Sequence, residues 1–204
     1  MAADKLYITS WCIIRNDTIV KNGETVFSKE ESDVSAFLLD GYDHFSMTYP
    51  KYFKMDRLSK LGFLAAEVLL KDNFQNDKYK QEEVGIVLMN SNASLDTDIR
   101  YIESVKNIPS PALFVYTLPN IVVGEISIRH NFKGENAFFI SDKFDAGFLH
   151  LYVNDLMKNH NLKCCICGWV DILDEKYEAV LYLVESEGKE NEFSIDRLNN
   201  IYAL

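Results

Sequence analysis

The sequence predicts an α/β protein in which a mixed five-stranded sheet carries helices on its faces. The first observation is a strand–turn–helix–strand unit between Phe138 and Asp171, and the second is an amphipathic helix that follows Met55. The third is a set of further apolar runs with the length of strands, at residues 6–14, 83–90 and 177–184. Apolar strands that alternate with helical segments are typical of α/β architecture.

The strand–turn–helix–strand unit is the part of the chain around which the rest is organised. Ala137–Ile140 is a short apolar run rich in aromatics, which suits a strand covered on both faces, and Ser141–Lys143 forms a polar turn. Apolar residues then fall at helical spacing over Ala146–Asn159, and residues 164–170 form the next strand. Such a unit presents its turn at the carboxyl edge of the sheet, where α/β proteins place their binding and catalytic residues.

Capping residues and apolar spacing predict two helices in the middle of the chain. Asp56 is the expected N-cap of a helix with a single apolar stripe that ends near Leu69. Asp96 or Thr97 is expected to cap the next helix. The buried residues of that second helix are predicted to be Ile99, Ile102 and Val105.

Other segments give weaker or more local signals. Asn22-Gly23 predicts a hairpin, whereas residues 32–53 are predicted to be irregular covering segments. A helix is expected from an N-cap at Thr117 to about Arg129, with Gly124 kept small for close packing. Residues 195–202 are expected to form a short terminal helix.

Composition excludes several classes of function. The net charge of −10 argues against a nucleic-acid partner, and no apolar run approaches the roughly 20 residues of a membrane span. No basic segment with an apolar core opens the chain, so a cytoplasmic protein is expected. Three of the four cysteines lie in one predicted strand, which indicates buried structural thiols rather than a disulfide framework or a metal site. No cofactor is expected.

The central unit resembles the nucleophile region of the β-ketoacyl-acyl carrier protein synthases of the thiolase superfamily. Two further phrases support this resemblance: the MDR start of the helix after Met55 and the segment TLPNIVVGEISI before the strand at Ala137. The resemblance spans about Leu6 to Glu185 and implies a thiolase-like βαβαβαββ half. Residues 1–204 would then be one domain that corresponds to the N-terminal half of the family fold, without the second half.

The resemblance also implies that the catalytic cysteine is missing. An ungapped alignment from Asp171 places Lys143 where the family has its cysteine, in the turn formed by Ser141, Asp142 and Lys143. The second half of the family fold supplies further catalytic groups. Those roles cannot be transferred to the histidines of this chain, which are His44, His130, His150 and His160. The resemblance therefore implies a non-catalytic subunit or partner, similar to a chain length factor, in fatty-acid or polyketide synthesis of the polyene type.

An alternative interpretation is a stand-alone enzyme that acts on acyl thioesters through a rebuilt site at Ser141–Asp145. Lys143 would be the nucleophilic amine, but Asp142 and Asp145 beside it favour the protonated ammonium. Ser141 would be a hydroxyl nucleophile, but the sequence identifies no base for it. Enzymatic activity therefore stays an open question at this point.

Two surfaces are predicted to bind partners. In the family the strand before the nucleophile pairs with its equivalent in a second subunit, so Phe138, Phe139 and Ile140 are expected to form a homodimer or a heterodimer with a complete ketosynthase. The unprotected apolar edge agrees with this expectation. A basic cluster before and in the first long helix is either a solvated flank or a docking patch for an acyl carrier protein, formed by Lys51, Lys54, Arg57 and Lys60.

Overall fold

Seven strands form a single mixed sheet in the computed structural model, which describes residues 5–30, 32–75, 77–188 and 190–204. The strands are β1 (Tyr7–Arg15), β2 (Thr18–Lys21), β3 (Glu24–Ser28), β4 (Val84–Asn90), β5 (Asn136–Ile140), β6 (Cys164–Leu173) and β7 (Lys176–Glu185). The expectation that no leader segment opens the chain falls partly on residues 1–4, which lie outside the described residues.

The helices are α1 (Val34–His44), α2 (Arg57–Leu70), α3 (Leu95–Val105), α4 (Pro111–Val115), α5 (Ile121–His130), α6 (Ala146–Asn159) and α7 (Ile195–Tyr202). Short 3₁₀ turns at Pro50–Lys54 and Gln81–Glu83 precede α2 and β4. None of the helices in the described part of the chain is long and apolar enough to cross a membrane.

The strand order is β3-β2-β1-β7-β6-β4-β5. β4 pairs in parallel with both β5 and β6, and the remaining pairs are antiparallel. The sheet has two more strands than the five predicted, because the hairpin extends it by pairing β2 with β1. The hairpin itself is confirmed: Asn22 and Gly23 both have positive φ and form its two-residue turn.

Helices cover both faces of the sheet. α1, α2 and α5 pack with one core cluster, and α6 and α7 pack with the other. Alternation along β6 sends Ile166 to the first core and Cys165 and Cys167 to the second. All four cysteines are free and buried, as predicted for structural thiols. Burial raises the pKa of the Cys12 thiol to about 12.

Gly168 lies inside β6, which continues to Leu173 instead of ending near Val170 as predicted. Its φ is +150°, and a Cβ at this position would lie 2.0 Å from the carbonyl oxygen of Val180. Only glycine allows β6 and β7 to approach this closely. The prediction that this glycine belongs to the core is confirmed.

Three local predictions are wrong. Residues 32–53 are not irregular throughout, since Asp33 caps α1 through the backbone N–H groups of Ser35 and Ala36. The helix predicted from Thr117 begins only at Ile121. Gly124 is not a packing position, because a Cβ there would meet no atom within 4 Å.

Candidate functional site

The predicted nucleophile turn connects β5 to α6 at the carboxyl edge of the sheet. The backbone N–H of Ser141 donates to the carbonyl of Asn90 at 2.8 Å, which fixes the start of the turn to the end of β4. Asp145 ends the turn as the N-cap of α6, where its carboxylate accepts the N–H of Phe148 at 2.8 Å. The predicted strand–turn–helix unit is therefore present, and its turn is held at both ends.

The side chain that the turn directs into the protein is Phe144, not Lys143. Phe144 is 9% exposed, and its ring stacks on Tyr202 of α7 with a centroid distance of 4.3 Å. Tyr202 is itself held by a hydrogen bond of 2.6 Å from its hydroxyl to Glu178. The inner side of the turn is thus filled by stacked aromatic rings.

The polar residues of the turn lack the contacts of a catalytic group. The hydroxyl of Ser141 donates to the carbonyl of Lys143 at 2.9 Å, and Lys143 and Asp142 are exposed. Among the described residues, no hydrogen bond joins Ser141 or Lys143 to a histidine or a carboxylate. A hydroxyl or amine nucleophile needs a base within hydrogen-bond reach, and among the described residues none is hydrogen-bonded to Ser141 or Lys143.

Asp171, the acidic residue at which the predicted central unit ends, fixes the loop after β4. Its carboxylate accepts the N–H groups of Ser91 and Asn92 at 3.2 and 3.0 Å, together with the side-chain amide of Asn92 at 2.7 Å. These hydrogen bonds occupy the carboxylate and fix the backbone of the loop at Ser91 and Asn92. Asp171 therefore has a structural role at this edge.

A buried ion pair anchors α3 to the body of the protein. Asp96 of α3 and Arg57 of α2 form a bidentate pair, with 3.0 Å between Arg57 Nε and Asp96 Oδ2. The N–H of Asp174 donates to Asp96 at 3.1 Å, and Glu175 accepts a further hydrogen bond from Arg57 at 3.1 Å. Arg57 is 8% exposed and cannot contribute to a docking patch, which corrects the prediction for this residue.

The three lysines of the predicted patch occupy different environments. Lys51 and Lys54 are exposed on the 3₁₀ turn before α2, and Lys51 Nζ lies 2.8 Å from Glu125. Lys60 is half-buried, its ammonium 5.9 Å from the centre of the Tyr52 ring, and burial lowers its pKa. Lys51 and Lys54 are thus the exposed members of the predicted carrier-protein patch, and Lys51 is paired with Glu125.

β5 is the edge strand of the sheet, as expected. Phe138 packs against one core, and Phe139 lies 4.8 Å from the ring of Phe148 on the other side. Because Ser141 directs its N–H to β4, strand alternation turns the N–H groups of Phe138 and Ile140 to the open edge. Ile140 is 55% exposed at that edge.

Exposed large apolar side chains are concentrated in one segment of the described chain, and three of them were predicted to be buried. Eight of the fifteen exposed large hydrophobic side chains in the described chain lie between Leu95 and Leu118. Ile99, Ile102 and Val105, predicted to be buried, are 50%, 61% and 49% exposed. α3 instead packs through Asp96 and Thr97, whose hydroxyl donates to Asp56 at 2.6 Å.

We call this region the α3–α4 apolar surface. It consists of Leu95, Ile99, Ile102, Val105, Phe114 and Leu118. The ring of Phe114 lies 5.4 Å from that of Tyr101, which joins α4 to α3. A contiguous exposed apolar patch is typical of an interaction site. The sequence signal was the regular apolar spacing of α3 itself, which specifies a stripe but not the direction in which it points.

Strand order and layering define the class of fold. A parallel trio of β5, β4 and β6, antiparallel β7 and β1, and helices on both faces make this a thiolase-like α/β fold. Within the described residues, no three His, Cys, Asp or Glu side chains come together as a metal site would require.

Solved structures of this class are similar to the chain. The ishigamide ketosynthase/chain length factor matches with a TM-score of 0.64 and 16% identity over 92% of this chain and 64% of that chain. A type II PKS acyl-carrier protein in complex with its ketosynthase bound to the hexaketide matches with a TM-score of 0.62 and 17% identity, over 89% of this chain and 62% of that chain. The ketosynthase ApeO in complex with its chain length factor ApeC from Xenorhabdus doucetiae matches with a TM-score of 0.59 and 13% identity, over 98% of this chain and 90% of that chain.

These likenesses show the fold. This chain spans less than two thirds of the first two matched chains, but nearly the whole of the third. No protein-family model and no curated protein matches the sequence.

Proposed function

We propose that this protein is a non-catalytic, ketosynthase-like subunit that pairs with a complete ketosynthase in fatty-acid or polyketide synthesis, in the manner of a chain length factor. The observation that carries the proposal is the turn at the carboxyl edge of the sheet. There, the residue that faces inward is Phe144, stacked at 4.3 Å on Tyr202, and Lys143 is exposed. A fold of this type in which stacked aromatic rings fill the inner side of the turn supports a role in assembly rather than in acyl transfer.

The size of the domain is part of the proposal. We propose that residues 1–204 correspond to the first half of the thiolase-like fold and act as one unit. The match over 90% of a chain from a ketosynthase–chain length factor complex supports a subunit of this size. The free, buried cysteines support a reducing compartment, and we place the protein in the cytoplasm.

The alternative of a stand-alone acyl-thioester enzyme has less support. The hydroxyl of Ser141 is engaged with the carbonyl of Lys143, and the carboxylate of Asp145 is engaged as a helix cap. Burial raises the pKa values of Cys12, Cys164 and Cys167, so these thiols are not poised as thiolates. No specific observation favours a rebuilt site at Ser141–Asp145.

Partner binding is proposed through the edge of β5, with Phe138 and Phe139 supporting the strand and Ile140 exposed on it. Its outward N–H groups are free to pair with a strand of the partner. A carrier protein is proposed to dock at Lys51 and Lys54, since carrier proteins are acidic and this is a local basic site on a chain of net charge −10. Lys60 would contribute only its partly buried ammonium.

A condensation assay tests the proposal. The pure chain, supplied with malonyl and acyl thioesters on a carrier protein, is expected to form no ketoacyl product. A complete ketosynthase from the same genome, assayed alone and with this chain, is expected to change its product yield or chain length when the two are combined. In parallel, a thiol-directed electrophile of the cerulenin type should leave the native chain unmodified, because its thiols are buried.

The controls separate inactivity from misfolding. Chain unfolded in guanidinium should be labelled at all four cysteines, which shows that the reagent works. Ile140→Pro should weaken association with the ketosynthase, because it removes an outward N–H without touching the pairing of β5 with β4. Product formed by the pure chain and abolished in Lys143→Ala or Ser141→Ala would overturn the non-catalytic role.

A further inference from the structure

An open cleft of about 340 Å³ lies between the start of α1, the 3₁₀ turn at Pro50–Lys54 and α2. Three large apolar or aromatic side chains, Leu39, Tyr52 and Phe53, line it. Tyr52 is completely buried, and its hydroxyl donates to the carbonyl of Leu38 at 2.9 Å, which fixes its ring as a wall of the cleft. Leu39 and Phe53 are 42% and 57% exposed. The cleft is therefore preformed and has the size of a site for a small ligand.

Two charged side chains of the described chain line this cleft, and they differ in their partners. The carboxylate of Asp33 caps α1, where it accepts the N–H groups of Ser35 and Ala36 at 3.0 Å. Lys60 of α2 has its Nζ 5.9 Å from the centre of the Tyr52 ring, and it forms no ion pair or side-chain hydrogen bond with the described residues. The Lys60 amine is therefore the charged group that the cleft leaves available to a ligand.

The surroundings of Lys60 favour its uncharged, nucleophilic form. Burial lowers the pKa of the Lys60 amine, Asp56 opposes this shift and Arg100 adds to it. Burial also lowers the pKa of Lys21, but the Nζ of that residue donates to the carbonyl of Lys71. A neutral amine attacks carbonyl carbon, so a lysine in a partly apolar setting is the more reactive one near neutral pH. Lys60 combines such an amine with an adjoining apolar cleft.

We propose that Lys60 is a site of covalent acylation, at which an acyl thioester places its hydrocarbon chain on Leu39 and Phe53. The uncharged Nζ attacks the carbonyl carbon of the thioester, the C–S bond breaks, and the sulfur leaves as a thiol with the proton that the nitrogen loses. The products are an amide on Lys60 and the free thiol. The step is stoichiometric and ends on the protein, so it agrees with a non-catalytic role. It rests on the proposed function for the natural acyl donor, whereas the cleft and the amine do not depend on that function.

The test incubates the pure full chain with S-octanoyl-N-acetylcysteamine near neutral pH and follows each lysine by peptide mass spectrometry. Lys60 should be octanoylated at least about fivefold faster than Lys54, an exposed lysine of the preceding 3₁₀ turn. The rate at Lys60 should saturate with thioester concentration, because the cleft binds the donor before transfer. The rate at Lys54 should rise in proportion to that concentration.

Chain length separates a binding cleft from a reactive amine alone. At Lys60 the octanoyl group should transfer about fivefold faster than the acetyl group, because the apolar walls bind the longer chain, and at Lys54 the two rates should be similar. Phe53→Ser and Leu39→Ser should each reduce this preference at Lys60. Both side chains are exposed, so the melting temperatures should stay close to that of the wild type. Lys60→Arg should abolish acylation at that position and leave the labelling of Lys54 unchanged.

Three results would overturn the inference. The first is octanoylation of Lys60 no faster than that of Lys54. The second is a rate at Lys60 that neither saturates nor depends on chain length, which would reflect the amine and not the cleft. The third is an equal rate at Lys21, which would make partial burial sufficient. The synthetic donor requires no ketosynthase, so these results leave the proposed function standing, and an unchanged product in the condensation assay would leave the acylation of Lys60 standing.

Discussion

α2 and α3 both carry apolar side chains at helical spacing, but α2 is buried on nearly all sides whereas α3 exposes its apolar stripe. α2 buries Leu61 and Leu64 completely against the sheet, and its N-cap Asp56 accepts the N–H of Ser59 at 2.9 Å. α3 is attached by Asp96 and Thr97 and leaves its stripe in solvent. The comparison teaches that apolar periodicity identifies a helix, whereas the buried polar contacts decide which side of it faces the protein.

The largest change in the free energy of unfolding is expected from removing the ion pair of Asp96 and Arg57, which anchors α3. Asp96→Ala should lower the free energy of unfolding by about 3–5 kcal/mol, because it leaves the buried guanidinium of Arg57 without its bidentate partner. Denaturant unfolding followed by circular dichroism measures this change. Glu103→Ala on the same helix is the control, since Glu103 is exposed and forms a surface pair with Lys106.

An equal loss in Asp96→Ala and Glu103→Ala would contradict the buried anchor. A large loss confined to Asp96→Ala would instead show that α3 is held by charge and hydrogen bonds, in contrast to the apolar attachment of α2.

The two stripes themselves can be compared by paired truncations. Leu61→Ala on α2 should cost about 2–5 kcal/mol, because a fully buried side chain is removed and a cavity remains. Ile102→Ala on α3 should change stability by less than about 0.5 kcal/mol in the isolated chain, because Ile102 is 61% exposed. Both values come from the same denaturation experiment. A cost for Ile102→Ala similar to that for Leu61→Ala would place the stripe of α3 inside the fold.

Local signals explain what could be predicted from the sequence. The start of the helix at Ala146, its closure near Asn159 and the helix over Ile195–Tyr202 were predicted, because spacing and capping are encoded nearby in the chain. The order of such elements predicted α/β architecture, and the thiolase-like fold was implied by the family resemblance and is confirmed. The position of β5 at the sheet edge was expected from the family resemblance and is confirmed.

The remaining features depend on contacts between distant residues. Arg57 was expected on the surface with neighbouring lysines, but Asp96, 39 positions later, draws it into the interior. Phe144 fills the turn because Tyr202, near the end of the described chain, stacks on it. The exposed stripe of α3 could not be predicted, because the apolar periodicity of a helix is the same whether its stripe faces the core or the surface.

The smallest expected effect concerns Gly124, on the outer face of α5, and it contrasts with Gly62 on α2. Gly124→Ala should raise the free energy of unfolding by about 0.5–1 kcal/mol, because alanine restricts the unfolded chain and its Cβ would meet no atom within 4 Å. Gly62→Ala should destabilise the protein despite the same gain in helix propensity, because its Cβ would lie 2.4 Å from Val122 Cγ2. Thermal and denaturant unfolding of the two single variants would measure both signs. If Gly124→Ala destabilises the isolated chain, α5 has an intramolecular neighbour on its outer side, and the division between inward and outward helix faces drawn from α2 and α3 does not extend to it.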